Sequence, residues 1–258
     1  MRTGVVLITG ASSGFGLEFS KIFAETGHHL LLVARNEEKL EKLQHALERK
    51  YGIDVYILTQ DLSVPHAAKK VARYVKSQNL RVEILINNAG FGDYGAFVSS
   101  DLTKQTQMID LNIRSLMEMT HTFLPGMVKR GRGRILNVAS IASFEAGPKM
   151  SVYYATKAFV LSFTESLSEE LRGSGVTVTA LCPGPTDTGF SKAAEMPNGR
   201  FANLFRLTKP QDVAYYGYRA LMSDWVIAIP GRMNRLAVIA VKFLPRKIIR
   251  RAVAILQK

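Results

Sequence analysis

Six short runs of β-branched and other apolar residues recur along the chain, at Val5 to Thr9, Leu30 to Val33, Val55 to Leu58, Ile84 to Ile86, Ile135 to Val138 and Val176 to Leu181. Most lack the polar alternation of a half-exposed strand, so they read as strands covered on both faces. Longer stretches of helical spacing, such as Leu17 to Thr26 and Glu37 to Tyr51, separate them. Helical crossovers of this length join parallel strands. The expected fold class is therefore α/β, a single doubly wound parallel sheet with helices on both faces. No Pro/Ser-rich seam, long charge block or internal repeat interrupts the pattern. One domain is expected over residues 1–231, with a helical extension over 232–258.

A hydrophobic share of 47 % beside 21 % charged residues supplies apolar surface for a core and excludes a disordered chain. The single cysteine excludes an internal disulfide framework and a cysteine-cluster metal site. The five histidines form no spaced ligand pair, so no metal is expected. A cytoplasmic setting is expected as well. Val5 to Ile8 is far shorter than a secretory h-region, and nowhere do about 18 uncharged apolar residues run together. The net charge of +13 is lopsided. Arg232, Arg235, Lys242, Arg246, Lys247, Arg250, Arg251 and Lys258 fall in the last segment, which contains no Asp or Glu. No recognition motif or aromatic-basic platform accompanies this charge, so nucleic acid is not an expected partner.

Between the first strand and the first helix stands Thr9-Gly10-Ala11-Ser12-Ser13-Gly14-Phe15-Gly16. Three glycines permit a tight turn, close backbone approach and close helix–strand packing. The helix amino end, with free N–H groups and a favourable dipole, suits a pyrophosphate. The second strand ends Val33-Ala34-Arg35-Asn36, without a carboxylate where a dinucleotide fold would hold the adenosine ribose hydroxyls. Arg35 would attract a 2′-phosphate through charge-assisted bonds, which points to NADP(H) rather than NAD(H).

Tyr153-Tyr154-Ala155-Thr156-Lys157 opens a segment of helical character, and Tyr153 and Lys157, at i and i+4, share a face. A phenol of ordinary pKa moves protons poorly at neutral pH. A nearby ammonium favours the phenolate, so Lys157 is expected to lower the Tyr153 pKa and make an acid/base. Tyr154 has Ala158 at i+4, and packing is its expected role.

Together with the glycine loop, these residues resemble the short-chain dehydrogenase/reductase family, and the likeness can be followed from Val5 to about Ala214. Asn87-Asn88-Ala89-Gly90 is similar to the family's N-N-A-G element. Asp61-Leu62 stands where the family contacts adenine, and Asn112 falls at its relay asparagine. Ser140 matches the catalytic serine, with Ser143 as the rival hydroxyl in the residues themselves. Pro183-Gly184 ends the sixth strand, and Thr188 falls where the family binds the nicotinamide carboxamide.

The resemblance implies a Rossmann-type sheet with Asn112, Ser140, Tyr153 and Lys157 as catalytic residues. It implies an NADP(H) site made by Gly10, Ser12, Ser13, Gly14, Phe15, Gly16, Arg35, Asp61, Leu62, Asn88, Ala89, Gly90, Tyr153, Lys157, Pro183, Gly184, Thr186 and Thr188. The implied chemistry interconverts a carbonyl and an alcohol of a small molecule. Tyr153 would protonate the oxygen, Ser140 bond it, Lys157 hold the nicotinamide ribose, and the Asn112 amide hold a water linking Lys157 to solvent. The alternative is a dinucleotide-binding sensor or scaffold without turnover.

Phe144 and Met150, with Phe190, Met196, Phe201, Leu204 and Phe205 in a lid over Gly189 to Thr208, point to an apolar-bodied ketone or 3-oxoacyl-type substrate; self-packing of the lid accounts for the same residues. Family members commonly form dimers or tetramers through helices near the tyrosine, which implies a homodimer or homotetramer. The tail is not explained by the family. Met233 to Leu244 is apolar around most of a helical turn, Pro245 interrupts it, and Arg246 to Lys258 is a basic amphipathic segment. Peripheral contact with an anionic membrane, cover for an apolar patch on its own domain, and a subunit contact all fit such a tail.

Overall fold

The structure, a computed structural model, describes residues 2–195 and 208–256. Its strands are β1 (Thr3–Thr9), β2 (His29–Ala34), β3 (Val55–Thr59), β4 (Leu80–Asn87), β5 (Gly133–Val138), β6 (Val176–Leu181) and β7 (Ile227–Ala228). Its helices are α1 (Gly14–Glu25), α2 (Glu37–Tyr51), α3 (Ala67–Ser77), α4 (Leu102–Ile109), α5 (Leu116–Lys129), α6 (Ser151–Glu170), α7 (Phe190–Ala193), α8 (Pro210–Met222), α9 (Arg232–Phe243) and α10 (Arg246–Leu256). The strands form one parallel Rossmann-type sheet in the order β3-β2-β1-β4-β5-β6-β7. All six apolar runs are strands. β7, which pairs Ile227 with Ala180 and Ala228 with Leu181, is too short to carry any period.

Side-chain alternation along each strand explains the two helical layers. Val6 and Ile8 of β1 point to a core completed by Phe19 and Phe23 of α1, Leu40 of α2 and Val213 of α8. Val5 and Leu7 point the other way, onto Val71 of α3, Met119 of α5 and Leu167 of α6. A strand buried on both faces has no use for polar alternation, hence the continuous apolar runs.

Two local features position the site. Asn36 caps α2, its Oδ1 accepting from the Lys39 N–H at 2.8 Å, so Arg35 stands just outside the helix and Lys39 in its first turn. Between α4 and α5 the residues Asp110–Ser115 form a π-helical turn, and Asn112 lies within it.

A buried polar chain joins the central strands to the helices behind them. Asn87 Nδ2 donates to Thr120 Oγ1 at 3.0 Å and to Asn137 Oδ1 at 2.9 Å. Asn137 Nδ2 donates in turn to Thr164 Oγ1 at 2.9 Å, and that hydroxyl donates to the Val160 carbonyl at 2.7 Å. α5, β4, β5 and α6 are thereby tied at one level.

At the carboxy terminus α9 and α10 fold back on the domain. Ile249 and Val253 are buried with Ala142, Met150 and Tyr154, while Val241 packs partly against the same cluster. The inner face of the tail thus covers an apolar patch of its own domain. Its outer face does not.

Candidate active site

Strand order reverses between β1 and β4, and a cleft opens there above the carboxyl ends of the strands. Its volume is about 1280 Å³, larger than the usual small-molecule pocket of about 300–1,000 Å³, and roomy enough for a dinucleotide and a second molecule.

The amino-terminal wall is built on missing side chains. Gly10 (φ 66°) and Gly14 (φ 52°) adopt left-handed backbone, where a Cβ is strained. A Cβ on Gly10 would also stand 2.9 Å from Asn88 Nδ2, and one on Gly16 would run into the Gly10 carbonyl. α1 begins at Gly14, three residues ahead of its first apolar residue expected from spacing, because glycine carries no apolar signal. Thr9 Oγ1 donates to the Ile86 carbonyl and accepts from the N–H groups of Asn88 (2.9 Å) and Ala89 (3.0 Å). Asn88 Nδ2 donates to the Thr9 carbonyl at 2.8 Å, so the ends of β1 and β4 are stitched side chain to backbone.

At the far end of this wall stand Arg35, Asp61 and Leu62. Burial would raise the Asp61 carboxyl, but the Ser63 hydroxyl and N–H, at 2.7 and 2.8 Å, and the Arg35 charge hold it below its ordinary value. Lys39 lines the same corner and was missed in the sequence. Its signal was there, four residues after Arg35 and across a helix start marked by Asn36.

At the other end, Ser140 follows β5 and caps a 3₁₀ turn, Ile141–Phe144, with its Oγ accepting from the Ala142 N–H. The Ser140 hydroxyl also favours the ionised form of the Tyr153 phenol. Ser143 is spoken for. Its Oγ donates to the Lys157 carbonyl at 2.8 Å and accepts from the Ser140 N–H, and it does not reach the cleft. Lys157 Nζ donates to the Val138 carbonyl at 2.8 Å and lies 5.8 Å from the centre of the Tyr153 ring. Gly90 leaves space in front of it, since a Cβ there would be 2.9 Å from Asn112 Oδ1 and 3.5 Å from Lys157 Nζ. The Tyr153 ring packs on Phe190, centroids 5.1 Å apart.

Every catalytic and cofactor residue chosen from the sequence lines the cleft except Gly16 and Asn112, which stand behind its wall; of the residues chosen for the substrate, Met150 and Phe190 line it, while Phe144 packs away from it against the cluster of Leu161 and Ala180. Pro183 and Gly184 line it after β6, the Pro183 carbonyl accepting from the Ile141 N–H. Thr186 donates to the Gly184 carbonyl, and Thr188 reaches back to within 3.3 Å of where a Cβ on Gly14 would lie. Of the expected lid, Met196, Phe201, Leu204 and Phe205 lie outside the described residues.

One expectation needs correction. The Tyr153 phenol is not lowered by Lys157 in the free protein. Burial pushes it up to about 12, opposed only by the Ser140 hydrogen bond. Burial likewise pulls Lys157 down to about 8, weakly countered by Cys182. An interior that disfavours both charged forms outweighs a cation placed beside the ring rather than at its oxygen. The Asn112 amide is also tied to protein groups, with one lone pair of its Oδ1 left for a further donor. Its Oδ1 accepts from the Phe91 N–H at 3.1 Å, and its Nδ2 donates to the Phe91 carbonyl and to Thr156 Oγ1 at 2.9 and 3.0 Å.

Residues 4–198 match the short chain dehydrogenase family. The chain belongs to the short-chain dehydrogenase family. Its membership makes it an oxidoreductase acting on CH–OH groups. The chain is 34 % identical over 238 residues to the NADP-dependent 3-hydroxy acid dehydrogenase YdfG of Escherichia coli (strain K12), covering 89 % of this chain and 91 % of that one. It is 36 % identical over 179 residues to a very-long-chain 3-oxoacyl-CoA reductase of Laccaria bicolor, covering 68 % of this chain and spanning only 52 % of that relative. Among solved structures, a short-chain dehydrogenase from Sphingobium yanoikuyae in complex with NADPH superimposes with a TM-score of 0.83 at 32 % identity, over 92 % of each chain. A 7β-hydroxysteroid dehydrogenase superimposes with a TM-score of 0.87 at 26 % identity, over 98 % of each chain.

The lowered Lys157 pKa has a consequence for the stability of this dehydrogenase. Between about pH 8 and the ordinary lysine value of 10.5, the folded protein binds fewer protons at this site than the unfolded chain. Stability therefore gains from this group as pH rises through that window, and the cost of burying the ammonium is fully present below it. Lys157→Met is expected to remove this dependence and raise the unfolding free energy at pH 7 by about 1–3 kcal/mol, as urea denaturation across pH 6–10 would measure.

Proposed function

We propose that the protein is an NADP(H)-dependent carbonyl reductase acting on an apolar-bodied ketone or a 3-oxoacyl-type substrate. The observation that carries this reading is the convergence of Ser140, Tyr153 and Lys157 on one glycine-walled cleft, with the Lys157 ammonium 5.8 Å from the centre of the Tyr153 ring. The residues fit the dinucleotide. Gly10, Gly14 and Gly90 leave space where any side chain would collide or be strained, and Arg35 with Lys39 supplies two cations at the corner suited to a 2′-phosphate. The NADP dependence of the Escherichia coli relative and the NADPH held by the Sphingobium protein support the same choice.

When bound, the reduced nicotinamide supplies a hydride to the substrate carbonyl carbon. Ser140 orients the carbonyl oxygen and donates to it as negative charge develops. Tyr153 gives that oxygen its proton. With its pKa pushed up to about 12 by burial, the phenol is protonated at neutral pH, the form a general acid needs. Lys157, beside Gly90, would hold the nicotinamide ribose through its ammonium and would oppose the charge left on Tyr153. Asn112, through its amide, fixes the π-helical turn and the Phe91 backbone behind Lys157.

Met150 and Phe190 form an apolar wall beside Tyr153, and Glu145, half-buried and raised by that burial, lines the same region. This wall favours an apolar body over a substrate whose own carboxylate must sit there. The names of the 3-oxoacyl-CoA reductase and hydroxysteroid dehydrogenase relatives agree with that preference. A homodimer is proposed through α4 and α5, where Leu102, Ile109 and Met117 are exposed beside a shallow apolar depression lined by Phe97, Ile113 and Val152.

Tyr153→Phe keeps the ring on Phe190 and removes the proton. Turnover should fall by about 10²–10⁴-fold while NADPH affinity, read by fluorescence titration, holds; an unchanged rate would refute the assignment. Arg35→Ala with Lys39→Ala should weaken NADPH binding by about 10- to 100-fold and leave NADH binding unchanged. Ile109→Asp should convert the dimer to a monomer in light scattering, with the far-UV spectrum preserved.

A further inference from the structure

The outer face of the tail answers to neither the cofactor nor the substrate. α9 is rooted firmly: Asn234 Nδ2 donates to the Pro230 carbonyl at 2.7 Å, and Arg235 Nε donates to the Ile229 carbonyl at 2.9 Å. The buried residues Val238, Ile249 and Val253 turn inward. On the opposite side, Met233, Leu236 and Phe243 recur at helical spacing and are 68, 60 and 83 % exposed, and Ile248 and Ile255 extend the apolar surface along α10 at 54 and 57 %. A helix pair packed on one side has no folding reason to carry large apolar residues on the other.

Cations flank this stripe. Arg232, Lys242, Arg246, Lys247, Arg250 and Arg251 are all exposed, and none forms an ion pair among the described residues. No acidic residue occurs between Arg232 and Leu256 to neutralise them. Among the described residues no helix is long and apolar enough to cross a membrane. Two copies of this face laid against each other would bring like charges together without a carboxylate to relieve them. A surface with negative head groups above an apolar layer matches both features at once: the cations pair with the head groups while Leu236 and Phe243 enter the acyl boundary.

We propose that α9 and α10 dock the protein peripherally on an anionic lipid bilayer. Such docking is independent of the chemistry in the cleft. The test is flotation of the full-length protein with vesicles of phosphatidylcholine alone or mixed with phosphatidylglycerol, in about 0.1 M salt. The mixed vesicles are expected to carry at least about tenfold more protein than the neutral ones. Leu236→Ser with Phe243→Ser, and separately Arg250→Gln with Arg251→Gln, should each cut the bound fraction by at least about fivefold. Melting temperature and NADPH oxidation should stay unchanged, since these side chains touch no part of the cleft. Equal binding to both vesicle types, or binding to neither, would overturn the proposal. So would a drop in native mass in the Leu236/Phe243 variant without loss of lipid binding, which would assign the face to a second copy.

Discussion

The bonds of Thr9 and Asn88 across the β1–β4 seam hold the part of the molecule on which the cleft depends. Parallel strands at a reversal of order diverge above the sheet, and their loops have no ladder to hold them. Here one hydroxyl accepts from two successive N–H groups of the β4 loop while donating to the last turn of β4 itself, and one amide returns the contact to β1. This stitching sets Ala89 and Gly90 in the wall opposite Lys157, and it fills the space that forces Gly10 and Gly16 to be glycine.

The charge state of Tyr153 and Lys157 follows from depth more than from pairing. Both Tyr153 and Lys157 are shifted towards their neutral forms by burial, which keeps the proton on the phenol and makes the ammonium costly to keep. The protein carries that cost at the site and offsets it in the packed layers on either face of the sheet. Ser140 is the one neighbour that favours ionised Tyr153.

Much of this was legible from the chain. Continuous apolar runs marked strands because burial on both faces removes polar alternation, and the glycine spacing located one wall of the cleft because only a missing Cβ satisfies it. What escaped was non-local or too short. β7 is two residues long, and the π-helical turn at Asn112 leaves no period of its own. The choice between Ser140 and Ser143 turned on where a 3₁₀ turn pointed each hydroxyl. A helical wheel separates cations from apolar residues in the tail, but it cannot tell that Ile249 faces the domain and Ile248 faces away. The Tyr153 pKa was misread because spacing shows a neighbour while burial depends on the whole fold.

The chain of side-chain bonds running from Thr120 through Asn87 and Asn137 to Thr164 gives the sheet a means of rejecting its own mistakes. Apolar strands of near-uniform composition can slide past one another with little change in contact energy. A slip of β5 against β4 would strand two carboxamides in an oily interior, with donors facing hydrocarbon. Misaligned pairings are thereby penalised, so the arrangement acts as a proofreader of strand register.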